Sequence, residues 1–311
     1  MKKFYLNILL FTIVMAGTLI IFDYLSMMEP TRTIIADLTG SSYYVSEKAA
    51  SRVMKSYINK VQTQDGSTKL IIGDSVCGQM FNNLQECNDD FSIAASNAAV
   101  TMTSQYILAK EYLDNHPDAT DIFLIVLPKS LKVKLGSTMG YQYAVMPFVR
   151  TGTIQDLDED TIQIMESVYG KFFMKPSTVA AIDLSGMNLK LYLNFLEEYS
   201  SAYSFQKPYE LADRYVYKIY EICQERNINF HLYPCPMPET NKEYVEGLKQ
   251  EFEESLIYEI NPEFLESIYY YPADEFTGSH FCADLSDRDY YVEKIKQVFE
   301  GEEIVEMLNF E

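Results

Sequence analysis

The chain has 311 residues, a net charge of −20 and 48% hydrophobic residues, so it is long enough for one large domain or two small ones. This hydrophobic content is typical of a globular protein and argues against disorder. The strong negative charge argues against a nucleic acid partner, because phosphate binding needs clustered Lys and Arg. It also argues against electrostatic docking of the main domain on anionic lipid.

An uncharged apolar run from Phe4 to Phe22 follows Lys2 and Lys3. About 19 helical residues at about 1.5 Å each span about 28 Å, close to the hydrocarbon thickness of a bilayer. The two lysines favour a cytoplasmic N-terminus, and no convincing cleavage site follows the run. We therefore expect residues 1–27 to be a single-pass signal anchor in the cell membrane, with the main domain outside the cytoplasm.

Residues 28–67 are expected to form a juxtamembrane helical spacer, because a helical stripe of apolar residues runs through 45–61. The α/β domain is expected at 68–303, followed by a tail at 304–311. Within this domain, short apolar segments predict strands at 69–72, 91–95, 121–127 and 227–234. Helical spacing predicts helices at 101–115, 211–222, 248–252 and 285–299.

The segment 121–127, DIFLIVL, is continuously apolar, which is typical of a strand that is covered on both faces. Strands alternate with helices along the domain, so the pattern predicts an α/β sandwich with a mostly parallel central sheet. The interval of about 129–207 is too long for one crossover connection. We interpret it as an insertion rich in Tyr and Phe.

Ser75 lies in the stretch LIIGDSVCGQ, where the first strand of the domain ends and a helix is expected to begin. Open α/β sheets bind ligands at this carboxyl edge, but a Ser hydroxyl needs a base to become a nucleophile. Of the three histidines, His116 ends a helix and His231 lies inside a predicted strand. His280 precedes the last helix, at the same edge, and is therefore the candidate base.

Gly73-Asp74-Ser75 after the first strand, and His280 before the last helix, resemble the GDSL/SGNH hydrolase family over roughly residues 68–300. The resemblance is to its membrane-anchored branch, which includes alginate acetylation proteins and the D-alanyl transfer protein of teichoic acid. It implies an SGNH-like three-layer sandwich, with Ser75 as nucleophile and His280 as base. It also implies an oxyanion hole made by the backbone N–H of Val76 and the loop of Asn97.

The family's acid, three residues before the His, is replaced here by Thr277. The residues that remain to orient His280 are Asp274 or Glu275 upstream and Asp284 downstream, and a backbone carbonyl would leave a Ser–His dyad. Asp274 is the acid that we predict.

Where the family carries a Gly-x-Asn-Asp block, this chain has IVLPKSLKVK. Lys129 or Ser130 is therefore expected to contact the substrate in place of that block.

The resemblance implies a membrane-anchored serine esterase or acyltransferase that acts on an acylated carbohydrate or cell-wall polymer. A membrane-bound acyltransferase is the protein partner that it suggests. An alternative is an SGNH-fold binding or scaffold protein of a polysaccharide modification or export complex, with an incomplete triad. In a third interpretation, Ser75 only caps a helix.

The five cysteines are scattered without the spacing of a zinc site, and we expect neither a metal nor a cofactor. Cys77 and Cys282 each follow a candidate catalytic residue by two positions. A disulfide between them is therefore a further hypothesis.

Overall fold

The computed structural model describes residues 2–27, 50–84, 89–96, 99, 101–132, 145–179, 210–308 and 310. The chain divides into two compact units. The first unit comprises Met1–Arg52 and Gly136–Tyr203, and the second comprises Val53–Leu135 and Ser204–Glu311. The second unit therefore contains the sheet and both residues of the predicted catalytic pair.

The helices and strands of the described residues are numbered in chain order. The helices are α1 (Lys2–Met27), α2 (Ala50–Gln62), α3 (Ser75–Phe81), α4 (Met102–Asn115), α5 (Met146–Thr151), α6 (Glu159–Tyr169), α7 (Glu210–Arg226), α8 (Lys242–Glu246), α9 (Lys249–Glu253), α10 (Leu256–Ile260), α11 (Arg288–Val298) and α12 (Glu303–Met307). The strands are β1 (Lys69–Gly73), β2 (Phe91–Ile93), β3 (Asp121–Val126), β4 (Asn229–Pro234), β5 (Met237–Pro238), β6 (Tyr270–Tyr271), β7 (Phe276–Thr277) and β8 (His280–Phe281).

The first unit contributes α1, α5 and α6 to the described part of the chain. Asp158 caps α6 by accepting a hydrogen bond from the N–H of Thr161 at 2.9 Å. The large apolar side chains of α1 are exposed, among them Phe4 and Phe11. No helix among the described residues meets the combined length and apolarity required to cross a membrane.

The second unit is built on a four-stranded sheet in the order β2-β1-β3-β4, with every neighbouring pair parallel. All six residues of β3 are buried, because the strand lies inside the sheet and is covered on both faces. The helices α4 and α7 pack against each other beside the sheet, and α3 pairs with α11. The prediction of an α/β fold with a parallel central sheet is confirmed.

The helix α2 packs in the second unit as part of its core. Met54, Ile58 and Val61 recur at helical spacing and are completely buried. The predicted spacer therefore supplies a core helix, and the unit begins at Val53 rather than at residue 68. Sequence periodicity identified the buried stripe of this helix but not the domain to which the stripe belongs.

Gly73, the last residue of β1, is closely surrounded by atoms of β3 and α3. A Cβ atom at this position would lie 2.1 Å from the carbonyl oxygen of Ile125 and 2.6 Å from the Cβ of Cys77. Non-bonded carbon and oxygen atoms do not approach each other so closely. A side chain at residue 73 would therefore separate β1 from β3 or move α3.

We predict that Gly73→Ala lowers the free energy of unfolding by about 3 kcal/mol, the upper end of the usual overpacking cost, because the clash is with backbone. Chemical denaturation measures the effect. Gly247→Ala is the matched control, since a Cβ there meets nothing closer than 3.4 Å. Equal stabilities of the two variants would contradict the prediction.

Candidate active site

Ser75 is the first residue of α3 and directly follows the carboxyl end of β1. Its side chain is half-buried. The helix cap is not Ser75 but Asp74, whose side chain accepts a hydrogen bond from the N–H of Val76 at 3.0 Å. The interpretation that Ser75 only caps a helix is therefore wrong, and its hydroxyl is free of that role.

The Asp74 carboxylate is almost completely buried and accepts hydrogen bonds from groups at the ends of three strands. Besides Val76, it accepts hydrogen bonds from the N–H of Leu127 at 2.7 Å and the hydroxyl of Ser130 at 2.6 Å. The thiol of Cys235 donates to it at 3.6 Å. Leu127 follows β3 and Cys235 follows β4, so one buried anion fixes the carboxyl edge of the sheet around Ser75.

His280 lies on a small hairpin in which β7 and β8 pair antiparallel, with Thr277 opposite His280. The turn between them contains Gly278, whose φ of 68° favours glycine. Phe281, the next residue along, is buried and stacks on Phe276 with ring centroids 4.5 Å apart. This aromatic anchor holds the hairpin on the core while His280 itself stays exposed.

The structure brings the two predicted residues together. The Nε2 atom of His280 lies 2.7 Å from the Oγ atom of Ser75, although the residues are 205 positions apart. In the tautomer with its proton on Nδ1, the imidazole accepts the hydroxyl proton through Nε2. This is the arrangement in which a histidine can act as a general base toward a serine.

Gln79, which the sequence analysis did not identify, connects the two halves of this pair. Its amide Nε2 donates to the carbonyl oxygen of Phe281 at 3.2 Å, and its Oε1 accepts from the N–H of the same residue at 3.0 Å. Gln79 lies four residues after Ser75 and hence on the same face of α3. The two hydrogen bonds thus tie the helix of Ser75 to the strand of His280.

Two residues predicted to contact the reacting groups have other partners. The N–H of Val76 is directed to Asp74, because the helix cap takes this donor, so the structure does not provide it as an oxyanion donor. Ser130 is buried and donates to the same carboxylate, which removes it from a substrate-binding role. The second predicted oxyanion residue, Asn97, lies outside the described residues.

The structure does not bring Asp274 to His280, and among the described residues none is hydrogen-bonded to His280 Nδ1. In the hairpin, Thr277 lies opposite His280, whereas the carbonyl groups of Glu275 and Asp274 contact the N–H and the thiol of Cys282. The carboxylate of Asp284 accepts from Ser286 instead.

Glu275 has partners of its own and does not orient His280. Its carboxylate accepts from Lys294 at 2.7 Å and from the Tyr290 hydroxyl at 2.8 Å. Burial alone would raise the pKa of Glu275, but these two hydrogen bonds outweigh it and lower the pKa. The described site is therefore a Ser–His dyad.

Lys129, predicted to contact substrate, lies beside the dyad. Its ammonium group donates to the hydroxyl of Ser279, the residue before His280. Burial lowers the pKa of Lys129, and the negative charge of Asp74 opposes this effect only in part. Lys129 therefore connects the segment after β3 to the turn of the hairpin and brings a positive charge close to His280.

The cysteines near the site are unpaired. Cys77 is buried and Cys282 is exposed, and both are free thiols, so the hypothesis of a disulfide between them is wrong. The thiol of Cys282 contacts the hydroxyl of Thr277 at 3.1 Å instead. Burial raises the pKa of Cys77 well above its ordinary value, so this thiol stays protonated at neutral pH.

Gln105 is a second residue that sequence reasoning missed. Its buried amide on α4 donates to the carbonyl of Gly73 at 2.9 Å and to the carbonyl of Ala99. The loop after β2 is thereby attached to the end of β1, next to Ser75. A polar residue within a predicted helix gives no local signal of such a contact, because the partner lies 32 positions away.

No family model, no curated protein and no solved structure matches the chain.

We predict that Gln79→Ala accelerates hydrogen exchange at the amide of Phe281 by about tenfold, because the side chain that accepts its hydrogen bond is lost. Hydrogen–deuterium exchange mass spectrometry of the peptide over 276–281 measures this. The control is Gln163→Ala, which removes a surface amide bonded to Glu159. Unchanged exchange at Phe281 would contradict the role of Gln79.

We further predict that Asp74→Asn lowers the free energy of unfolding by about 2–4 kcal/mol, since an amide group confronts several hydrogen-bond donors in a buried site. Thermal and chemical denaturation measure the loss. Asp118→Asn, at an exposed position, is the control and is expected to leave stability within about 0.5 kcal/mol of wild type. A wild-type stability of Asp74→Asn would show that the carboxylate does not organise this edge.

Proposed function

We propose that the chain is a serine esterase or acyltransferase of the SGNH type. The observation that carries the proposal is the 2.7 Å contact between Ser75 Oγ and His280 Nε2 at the carboxyl edge of a parallel sheet. Ser75 is half-buried and His280 exposed, so an acyl group can approach both from solvent. The resemblance of Gly73-Asp74-Ser75 and the late His to the SGNH hydrolases supports the same chemistry.

In the proposed reaction, Ser75 Oγ attacks the carbonyl carbon of an ester while its proton passes to His280 Nε2. The bond to the leaving alcohol then breaks, and the imidazolium returns the proton to the alkoxide. Water or a sugar hydroxyl, deprotonated by His280, then attacks the acyl carbon, the ester bond to Ser75 Oγ breaks, and His280 returns the proton to Ser75. Water as acceptor gives an esterase, and a sugar hydroxyl gives an acyltransferase.

The proposed substrate is an acylated carbohydrate or cell-envelope polymer. The exposed position of His280 suits a polymer, because an internal segment of a long chain can reach only an open site. Lys129 places a cation next to the hairpin turn, where it can bind an anionic group of such a polymer.

We also propose that α1 anchors the protein in the cell membrane, with the second unit outside the cytoplasm. The uncharged sequence from Phe4 to Phe22 and the exposed apolar side chains of α1 support this proposal. Deletion of residues 1–27 is expected to move the protein from the membrane fraction to the soluble fraction. Protease treatment of intact cells, which digests only material outside the membrane, tests the orientation.

A second candidate is a binding or scaffold protein for a polysaccharide modification complex, without turnover. The observation that favours it is that His280 Nδ1 has no hydrogen-bond partner among the described residues, so no acid stabilises the imidazolium. The engagement of the Val76 N–H with Asp74 points the same way. This protein would bind the polymer but not cleave an ester.

The deciding experiment is treatment of the full-length protein with a fluorophosphonate, followed by intact-mass spectrometry. We predict a single adduct on Ser75 in wild type and none in Ser75→Ala. His280→Ala is expected to label at least about 100-fold more slowly, because the general base is lost. Ser286→Ala, an exposed serine outside the pair, is the control and is expected to label like wild type.

A folded wild-type protein that forms no adduct would overturn the proposal and favour the binding protein. If the adduct forms, incubation with a chromogenic acetyl ester, with and without an oligosaccharide acceptor, separates esterase from acyltransferase. Acetylated oligosaccharide identifies transfer, and acetate alone identifies hydrolysis.

A further inference from the structure

A second cluster of chemically active side chains lies away from the Ser75–His280 pair. Asp121 is the first residue of β3, His231 is the third of β4, and Glu303 begins α12. In a parallel sheet, the first residues of the strands mark the edge opposite to the carboxyl ends. The cluster is therefore separate from the proposed catalytic site, and the proposed function does not use it.

The ligand atoms of the three side chains lie close together, and His231 and Asp121 are hydrogen-bonded to each other. His231 Nε2 lies 2.9 Å from Asp121 Oδ1 and 3.8 Å from Glu303 Oε2, and all three atoms lie within 4.8 Å of one another. Ligands about 2.0–2.1 Å from a tetrahedral zinc ion are about 3.3 Å from each other. The observed separations bracket this value, and the exposed Glu303 can close the remaining gap by side-chain rotation.

The two inner ligand candidates are held in place by their neighbours. The amide of Asn229 donates to Asp121 Oδ1 at 3.0 Å. The ring of His231 stacks on Phe123, with centroids 4.4 Å apart and an interplanar angle of 9°. Fixing of ligands by surrounding groups is a general feature of metal sites in proteins.

The two carboxylates of the cluster also favour the binding of a cation. Asp121 and Glu303 bring two carboxylates together in a chain whose net charge is already −20. Like charges so close repel each other. A divalent cation bound between the two carboxylates would neutralise both charges.

The two adjacent glutamates have different partners. Glu302 accepts a hydrogen bond from the Tyr233 hydroxyl at 2.9 Å. Glu303 instead turns its carboxylate to His231.

We propose that Asp121, His231 and Glu303 bind one divalent transition-metal ion. Imidazole together with carboxylates suits Zn²⁺ better than Mg²⁺ or Ca²⁺, which prefer oxygen ligands alone. The ligands come from β3, β4 and α12, so the ion attaches the last helix to the sheet. Its role is to stabilise the C-terminal end of the chain.

The test is calorimetric titration of Zn²⁺ into the full-length, chelator-treated protein in detergent. Wild type is expected to bind one ion at this site. Glu303→Gln, a change at an exposed position that leaves the core intact, is expected to bind at least about tenfold more weakly. His231→Phe, which keeps a ring to stack on Phe123, is expected to lose more than the roughly 100-fold that removal of a supporting neighbour costs.

Glu306→Gln is the matched control, because this exposed glutamate lies one turn further along α12. It is expected to bind Zn²⁺ as wild type does. The proposal is overturned if wild type shows no saturable binding, or if Glu303→Gln and His231→Phe both bind as tightly as wild type.

Substitution with Co²⁺ gives an independent readout of the ligands. Oxygen and nitrogen ligands give visible d–d bands without the strong near-ultraviolet band of a cobalt–thiolate bond. A thiolate band would place the ion at a cysteine and overturn the proposal. Since neither measurement requires turnover, failure of the metal proposal and failure of the proposed function are distinguishable.

Discussion

The buried carboxylate of Asp74 is the interaction on which the candidate active site depends. It accepts hydrogen bonds from groups that follow β1, β3 and β4, and these groups are far apart in the sequence. A buried carboxylate is stable only when several hydrogen-bond donors surround it. These hydrogen bonds therefore restrict the relative positions of the three strand ends. Ser75, the next residue, is thereby held at one place on the sheet edge.

His280, the partner of Ser75, is positioned mainly by apolar packing rather than by a buried carboxylate. The hairpin of His280 rests on the aromatic packing of Phe281, which is nondirectional and tolerates small shifts. Gln79 adds the directional part through its two hydrogen bonds to the Phe281 backbone. Three interactions thus maintain the short distance between Ser75 and His280. They are the hydrogen bonds of Asp74, the aromatic packing of Phe281 and the hydrogen bonds of the Gln79 amide.

Two clusters of polar side chains lie at opposite edges of the sheet. At its carboxyl edge, Ser75 and His280 form a hydrogen-bonded pair that is accessible to solvent, with Lys129 as the nearby cation. At the opposite edge, Asp121 and Glu303 converge on His231. The strands between them are apolar and buried, so the charges at one edge have little direct contact with those at the other.

The sequence by itself determined the parallel α/β architecture, the buried strand β3 and the placement of Ser75 and His280 at the same edge. These features follow from local hydrophobic periodicity and from the rule that parallel strands end together. The tertiary structure alone decided that Val76 and Ser130 bond to Asp74 and that Asp274 does not reach His280. It also decided that α2 packs in the core. Hydrogen bonds such as that of Asp74 to Ser130, 56 positions away, depend on distances between remote segments, and no local pattern encodes those distances.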